Sequence, residues 1–279
     1  MARMVQLPED RVLPTGFVPD ELPAQPAAPK DAATVMLLRE GSAGPEVFLQ
    51  RRVKGMAFAG GMTVFPGGGV DQRDADASVA WSGPDADWWA ERFGCTQDVA
   101  RALVCAAVRE TFEESGVLLA GPDPTTVVGD TSHYAGARAA LVSREMSLAK
   151  FLADEGLVLR ADLLRPWANW VTPEREPRRY DTRFFLAAMP AGQRADAVTS
   201  EASEAYWSTP QQALADFEAG RCHLLPPTRV TLGELAECGS LPAALAAERT
   251  LAKVMPKLVR RNDRWHAVLP GEPGFEEAK

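Results

Sequence analysis

The sequence is short of several things, and each shortage removes a class of function. Its four cysteines, Cys95, Cys105, Cys222 and Cys238, form no Cys-x-x-Cys pair. That argues against structural zinc and a dithiol redox centre, and leaves small buried thiols in a reducing compartment. His133, His223 and His266 are isolated, without ligand spacing, and read as structural. No apolar run approaches the ~20 residues that cross a bilayer. The N-terminus shows no basic segment followed by an apolar one, and the C-terminus no Ser-Lys-Leu address. A cytoplasmic protein with no membrane partner is therefore expected. Basic residues are in deficit, 30 Lys and Arg against 38 Asp and Glu, for a net charge of −8. Such a chain is poorly suited to bind nucleic acid, which needs a basic surface. A Gly-x-Ser-x-Gly elbow is also missing, which leaves acyl transfer without support.

What is present is an ordinary globular composition, 46% hydrophobic and 24% charged over 279 residues, enough to bury a full core. Residues 1–30 are rich in Pro and Ala and read as an extended lead-in. Residues 31–220 are expected to form the main domain, and residues 221–279 a helical extension packed on it. No internal repeat is seen. Runs at 34–40 and 46–52 read as a hairpin joined by a longer loop, and 62–65 as a short strand entering a Pro-Gly-Gly-Gly turn. Trp81, Trp88, Trp89 and Phe93 crowd residues 75–96, where packing or a dimer contact is favoured over a wall of a substrate cleft. Strands are expected at 168–172, 180–188 and 205–208. Residues 134–155 read as helical, anchored by Leu148, Phe151 and Leu152. Thr209, Pro210 and Gln212 start a helix as N-cap, first position and closing residue of a capping box. Leu241, Leu245, Leu251, Met255 and Leu258 predict one further amphipathic helix, to cover the core or form a homodimer seam.

The most informative stretch is residues 109–117, Arg-Glu-Thr-Phe-Glu-Glu-Ser-Gly-Val. Residues three and four apart on a helix are neighbours, so Glu110, Glu113 and Glu114 project together. Clustered hard oxygens suit Mg²⁺ or Mn²⁺ bridged to substrate phosphates. A solvated acidic face is the plainer alternative, but a Gly-Val stop follows at once and a Phe-Pro-Gly-Gly-Gly run lies upstream at 65–69. Thr96 is a good N-cap for this helix; Val104, Val108 and Phe112 form its buried stripe, and Gly116 suits a left-handed end. Arg109 is placed to orient the neighbouring acids, Asp74 included.

These residues resemble the Nudix hydrolase box: Gly, five residues, Glu, seven residues, then Arg-Glu-U-x-Glu-Glu-x-Gly-U, with U apolar. Residues 109–117 match its second half except at Thr111, where an apolar residue is usual. Gly68 and Asp74 match the first half, with Asp in place of Glu, and an insertion near 75–100 splits the box. Residues 65–68 with Asp71 and Asp74 are similar to the coenzyme A diphosphatase branch. Arg52 and Gly61 fall at matching upstream spacing, whereas Val53 and Ala57 depart from the pattern. With residues 170–173, 180–185 and 226–228, the split box resembles the subgroup of animal peroxisomal coenzyme A diphosphatases and their bacterial relatives, over roughly residues 32–235.

The resemblance implies an α+β fold, a mixed β-sheet between α-helices, with extra C-terminal helices. It implies metal-dependent hydrolysis of a diphosphate linkage in a small nucleoside diphosphate derivative, with coenzyme A or an acyl-CoA as first choice and ADP-ribose or a dinucleotide as alternatives. Glu110, Glu113, Glu114 and the Gly68 carbonyl are the implied ligands of Mg²⁺ or Mn²⁺. The general base is placed on Glu201 by analogy with Nudix enzymes that use an upstream Glu; Glu204, Glu113 and Glu114 compete. Arg52, Arg179 and Arg183 are candidates for the substrate phosphates, because guanidinium forks match phosphate geometry. A non-catalytic sensor is the rival from another class, and it is disfavoured because all three acids are kept and no basic recognition helix is evident.

Overall fold

The structure is a computed structural model that describes residue 13 and residues 25–56, 59–199 and 201–276. Most of the 1–30 lead-in, and Ala57, lie outside the described residues.

The fold grows from β1 (Lys30–Gly41), whose consecutive Val35, Met36, Leu37 and Leu38 are all buried. Alternate residues of a strand face opposite sides, and here each side has its own core. Val35 and Leu37 join one cluster, Met36 and Leu38 the other. The strand is therefore central and covered on both faces. β2 (Gly44–Arg52) returns antiparallel through a turn tighter than the sequence suggests, with Gly41 opposite Gly44. The short β3 (Thr63–Val64) pairs with β2, and β4 (Gly67–Gly69) pairs with β1, setting Gly68 opposite Ala33. Thus β1 is bonded to β2 along its C-terminal end and to β4 along its N-terminal half, and the glycine strand occupies the gap where β2 diverges.

A 3-10 turn at Gln72–Ala75 and β5 (Trp81–Ser82) lead to α1 (Ala86–Phe93) and α2 (Gln97–Ser115). The aromatic insertion is core. Trp89 is wholly buried, 5.7 Å from the Phe93 ring and 5.5 Å from that of Phe185. Trp81 and Trp88 lie under the Arg101 and Arg92 guanidinium groups. None of these aromatics lines a cavity of the site described below.

β6 (Ala120–Gly121) follows, then α3 (Ala135–Val142) and α4 (Leu148–Asp154). The helical reading of 134–155 thus resolves into two helices: Arg144 adopts φ 62° and Ser147 caps a new start. β7 (Val158–Arg160) joins β5 and β6 in a small sheet. β8 (Leu164–Val171), β9 (Tyr180–Ala188) and β10 (Ala202–Ser208) complete most of the main sheet. α5 (Pro210–Glu218), α6 (Pro226–Cys238) and α7 (Leu241–Ala246) supply residues of the second core cluster. Thr209 caps α5 as expected, but the Gln212 side chain donates to Asp216 and leaves the capping box half-made.

The predicted helix through Leu258 is corrected by the structure. α7 ends at Ala246, and the chain continues as β11 (Lys253–Val254), β12 (Lys257–Arg261) and β13 (Arg264–Val268). Pro256 is unsuited to a helix interior. Asn262 and Asp263, at φ 48° and 57°, make the two-residue turn that antiparallel strands prefer. Among the described residues the main sheet runs β10-β2-β1-β9-β8-β11, with β1–β9 and β8–β11 parallel. The whole is an α+β fold with a mixed sheet between helices.

Candidate active site

The acidic ridge stands on the last two turns of α2. Thr96 caps the start of this helix, and Gly116 ends it at φ 75°, its N–H donating to the Phe112 carbonyl at 2.9 Å. Val104, Val108 and Phe112 are buried as expected, yet the buried face is wider than that stripe because α1, α3 and the sheet enclose the helix. Phe112 stacks on Phe151 at 5.5 Å. Thr111, the departure from the box, is wholly buried. Its hydroxyl donates to the Ala107 carbonyl at 2.7 Å, so the polar atom is satisfied within the helix.

Arg109 ties the two halves of the box together across the insertion. Its Nε and one terminal nitrogen donate to the two Asp74 oxygens at 2.9 and 2.8 Å, and it also donates to the Gly69 carbonyl at 3.0 Å. The other nitrogen meets Glu110 at 2.6 Å and Glu113 at 3.4 Å. Burial opposes the Arg109 charge, but hydrogen bonding to Asp74 and the fields of Glu110, Asp74 and Glu113 outweigh it and raise its pKa. Asp74 is itself fixed by the 3-10 turn, accepting from the Asp71 N–H at 2.8 Å, while Asp71 caps Arg73. With five donated hydrogen bonds to four partners, Arg109 ties these acids and the glycine strand together.

Glu114 lies deeper. It accepts from the Gly67 N–H at 2.8 Å and from the Gln50 amide, and makes no ion pair among the described residues. Burial, then repulsion from Glu110, pushes its pKa well above the carboxylate range, with the Gly67 bond opposing. Burial likewise raises Glu110, against the attraction of Arg109, and raises Glu113. A Cβ on Gly68 would sit 2.6 Å from the Glu110 carboxyl, so only glycine lets backbone and acid approach this closely.

Two cavities meet here. A small one of about 110 Å³ is lined by Glu110, Glu113, Glu114, Arg109, Arg144 and Glu201. A larger one of about 760 Å³ begins at Gly67–Gly69, Glu110, Arg52 and Glu201 and extends past Trp170 and Phe184 toward the β12–β13 hairpin. Glu201 thus faces the ridge, its half-exposed carboxylate 3.3 Å from Arg52. Glu204 pairs instead with Arg51, on an exposed part of β10, and lines neither cavity.

Of the three arginines expected at phosphate, the structure brings only Arg52 to the site. Arg179 is buried and donates to the Ala27 and Thr172 carbonyls. Arg183 is buried in ion pairs with Asp31 and Asp181. Neither lines the cavities, so both are corrected to framework residues. Gln50 and Arg144 are the residues that sequence reasoning missed. A lone amide after Val47, Phe48 and Leu49 was a readable signal for Gln50; nothing local marked Arg144.

Among the described residues no three Asp, Glu, His or Cys side chains converge to hold a metal ion as they stand, and Arg109 and Gln50 are bonded to Glu110 and Glu114. The chemistry of the set nevertheless fits: buried hard oxygens, raised pKa values, a Glu114 without a cationic partner, and a Gln50 Oε1 that is buried and unbonded.

Comparison with known proteins agrees with the geometry. A family model described as the NUDT19 Nudix domain matches residues 91–235, more than half of the chain. Putative nudix hydrolase 7 of Caenorhabditis elegans is 30% identical over 204 residues, which cover 68% of this chain and 56% of that protein, so the chain spans little more than half the length of that relative. Human acyl-coenzyme A diphosphatase NUDT19 is 26% identical over 309 residues, covering 95% of this chain and 79% of that protein. A Nudix hydrolase crystal structure from Alicyclobacillus acidocaldarius superposes with a TM-score of 0.68 at 28% identity, covering 80% of this chain and 98% of that one. With the split box reassembled by Arg109 and Asp74, the chain belongs to the Nudix hydrolase family, in the branch defined by the NUDT19 domain.

Proposed function

We propose that this chain hydrolyses the diphosphate linkage of coenzyme A or an acyl-CoA. One observation carries the reading: Glu110 lines both a small cavity shared with Glu113 and Glu114 and, beside the glycine strand, a cavity of about 760 Å³ that offers a nucleotide room beyond its diphosphate. The name of the human relative supplies the substrate class.

Glu110, Glu113, Glu114 and the Gly68 carbonyl would hold Mg²⁺ or Mn²⁺, which when bound neutralises diphosphate oxygens and lowers the pKa of water. The chain's own residues do the rest. Arg109 holds the ridge in register with Asp74 and the glycine strand. Arg52 presents a guanidinium to a phosphate oxygen. Glu201 takes the proton of the attacking water as its oxygen bonds to phosphorus, and the anhydride P–O bond breaks to release the second phosphate. Glu113 is the second candidate for that proton.

The test is a product assay. With Mg²⁺ or Mn²⁺, coenzyme A should give 3′,5′-ADP and 4′-phosphopantetheine. Cleavage of ADP-ribose but not coenzyme A would keep the chemistry and move the substrate. Glu114→Gln should lower kcat by about two orders of magnitude or more with the fold intact by circular dichroism; near-normal turnover would remove the ridge from the mechanism.

A further inference from the structure

The far end of the large cavity holds a carboxyl that the proposed chemistry does not use. Glu176 lies in the connection between β8 and β9 and lines the same cavity as Gly67–Gly69, Glu110 and Glu201. Its residue surface is only 6% exposed, and its Oε1 is buried with no hydrogen-bond partner among the described residues. Of the cations nearby in sequence, Arg175 lies over the Trp265 ring at 4.7 Å, its own Nε buried and unbonded among the described residues, and Arg179 donates to the Ala27 and Thr172 carbonyls. Lys30 and Arg178 line the cavity but form no ion pair with Glu176 among the described residues.

A buried polar atom left unbonded costs free energy, which a ligand that pairs with it recovers. Trp170, Phe184, Pro226 and Pro227 line the same cavity with flat apolar faces suited to a ring.

We propose that Glu176 is a specificity residue, whose carboxyl pairs with the amino-substituted edge of an adenine ring at the end of the cavity away from the acidic ridge. This rests on the reading that the substrate is an adenine nucleotide joined through a diphosphate. The pairing needs the neutral acid: its O–H donates to a ring nitrogen, and its C=O accepts from the adjacent amino N–H. Burial alone pushes this carboxyl up to about 7, which supplies that form near neutrality. Guanine offers two adjacent donors on the corresponding edge and would require the ionised form, which burial disfavours.

Binding without turnover separates this inference from the hydrolytic one. Calorimetry in a metal chelator at pH 6.5 would titrate the full chain with AMP, GMP and purine riboside 5′-monophosphate, which lacks the amino group. The wild type should bind AMP about tenfold more tightly than either analogue, the scale of one good two-point base contact. Glu176→Gln keeps a donor and an acceptor, so it should retain AMP binding and hold it to pH 8.5, where the wild type weakens. Glu176→Leu, which also removes the buried carboxyl, should bind all three within about twofold of one another. Equal wild-type affinities for the three nucleotides, or unchanged AMP binding by Glu176→Leu, would overturn the assignment even if coenzyme A is hydrolysed. Failure of hydrolysis with the expected binding pattern would leave it standing.

Discussion

At the scale of single residues, the site is organised by one arginine serving four partners. Arg109 bonds Asp74, Glu110, Glu113 and the Gly69 carbonyl together, so it sets where the acids point. This much was legible in the sequence, because the box places Arg directly before the first Glu and an acid after the glycine turn. Gln50 and Glu176 were not, since their roles depend on which distant strands enclose them. The base assignment gives a residue-level prediction. Glu201→Gln should lower kcat by about a hundredfold or more while leaving Mn²⁺ affinity, read by titration calorimetry, close to that of the wild type. An unchanged kcat would pass the proton to Glu113.

At the scale of elements, the insertion that splits the box is a packing unit. Its aromatic density announced burial, and Trp89 confirms it by filling the space between Phe93 and Phe185. Trp89→Ala should therefore cost about 3–5 kcal/mol of stability in urea unfolding. A loss below 1 kcal/mol would mean that α1 is not part of the cooperative core. Elements with strong end signals were readable: Thr96 and Gly116 bracket α2, and Thr209 and Pro210 open α5. In the C-terminal segment leucine spacing points to a helix, but Pro256 and the Asn262-Asp263 turn break it into short strands. The places of Arg179 and Arg183 are not legible, because charge type does not show whether a guanidinium meets solvent, a carbonyl or a carboxylate.

At the scale of the whole molecule, the buried acids make stability depend on pH. Burial raises the folded-state pKa of Glu110, Glu114 and Glu176 above the ordinary value of 4.5. A group with a raised folded pKa holds its proton more tightly in the native state. Its stabilising contribution is complete below the unfolded value and is lost as pH rises through the folded one, about 7 for Glu176. In chelator, Tm should fall between pH 5 and pH 8.5. Mn²⁺ at pH 8.5 should restore much of the loss, because a ligand that binds only the native state adds stability. A Tm indifferent to both pH and Mn²⁺ would contradict the buried-acid account.

The join between Asp74 and Arg109 has a consequence for evolution as well as for recognition. The penalty for closing a loop grows only with the logarithm of its length, so a motif clasped by a two-pronged contact can admit extra chain between its halves at modest cost. The intervening segment can then lengthen, acquire its own helix and drift, provided its ends return to the clasp. Relatedness in this branch is better sought in the two anchoring ends than in an unbroken string of letters.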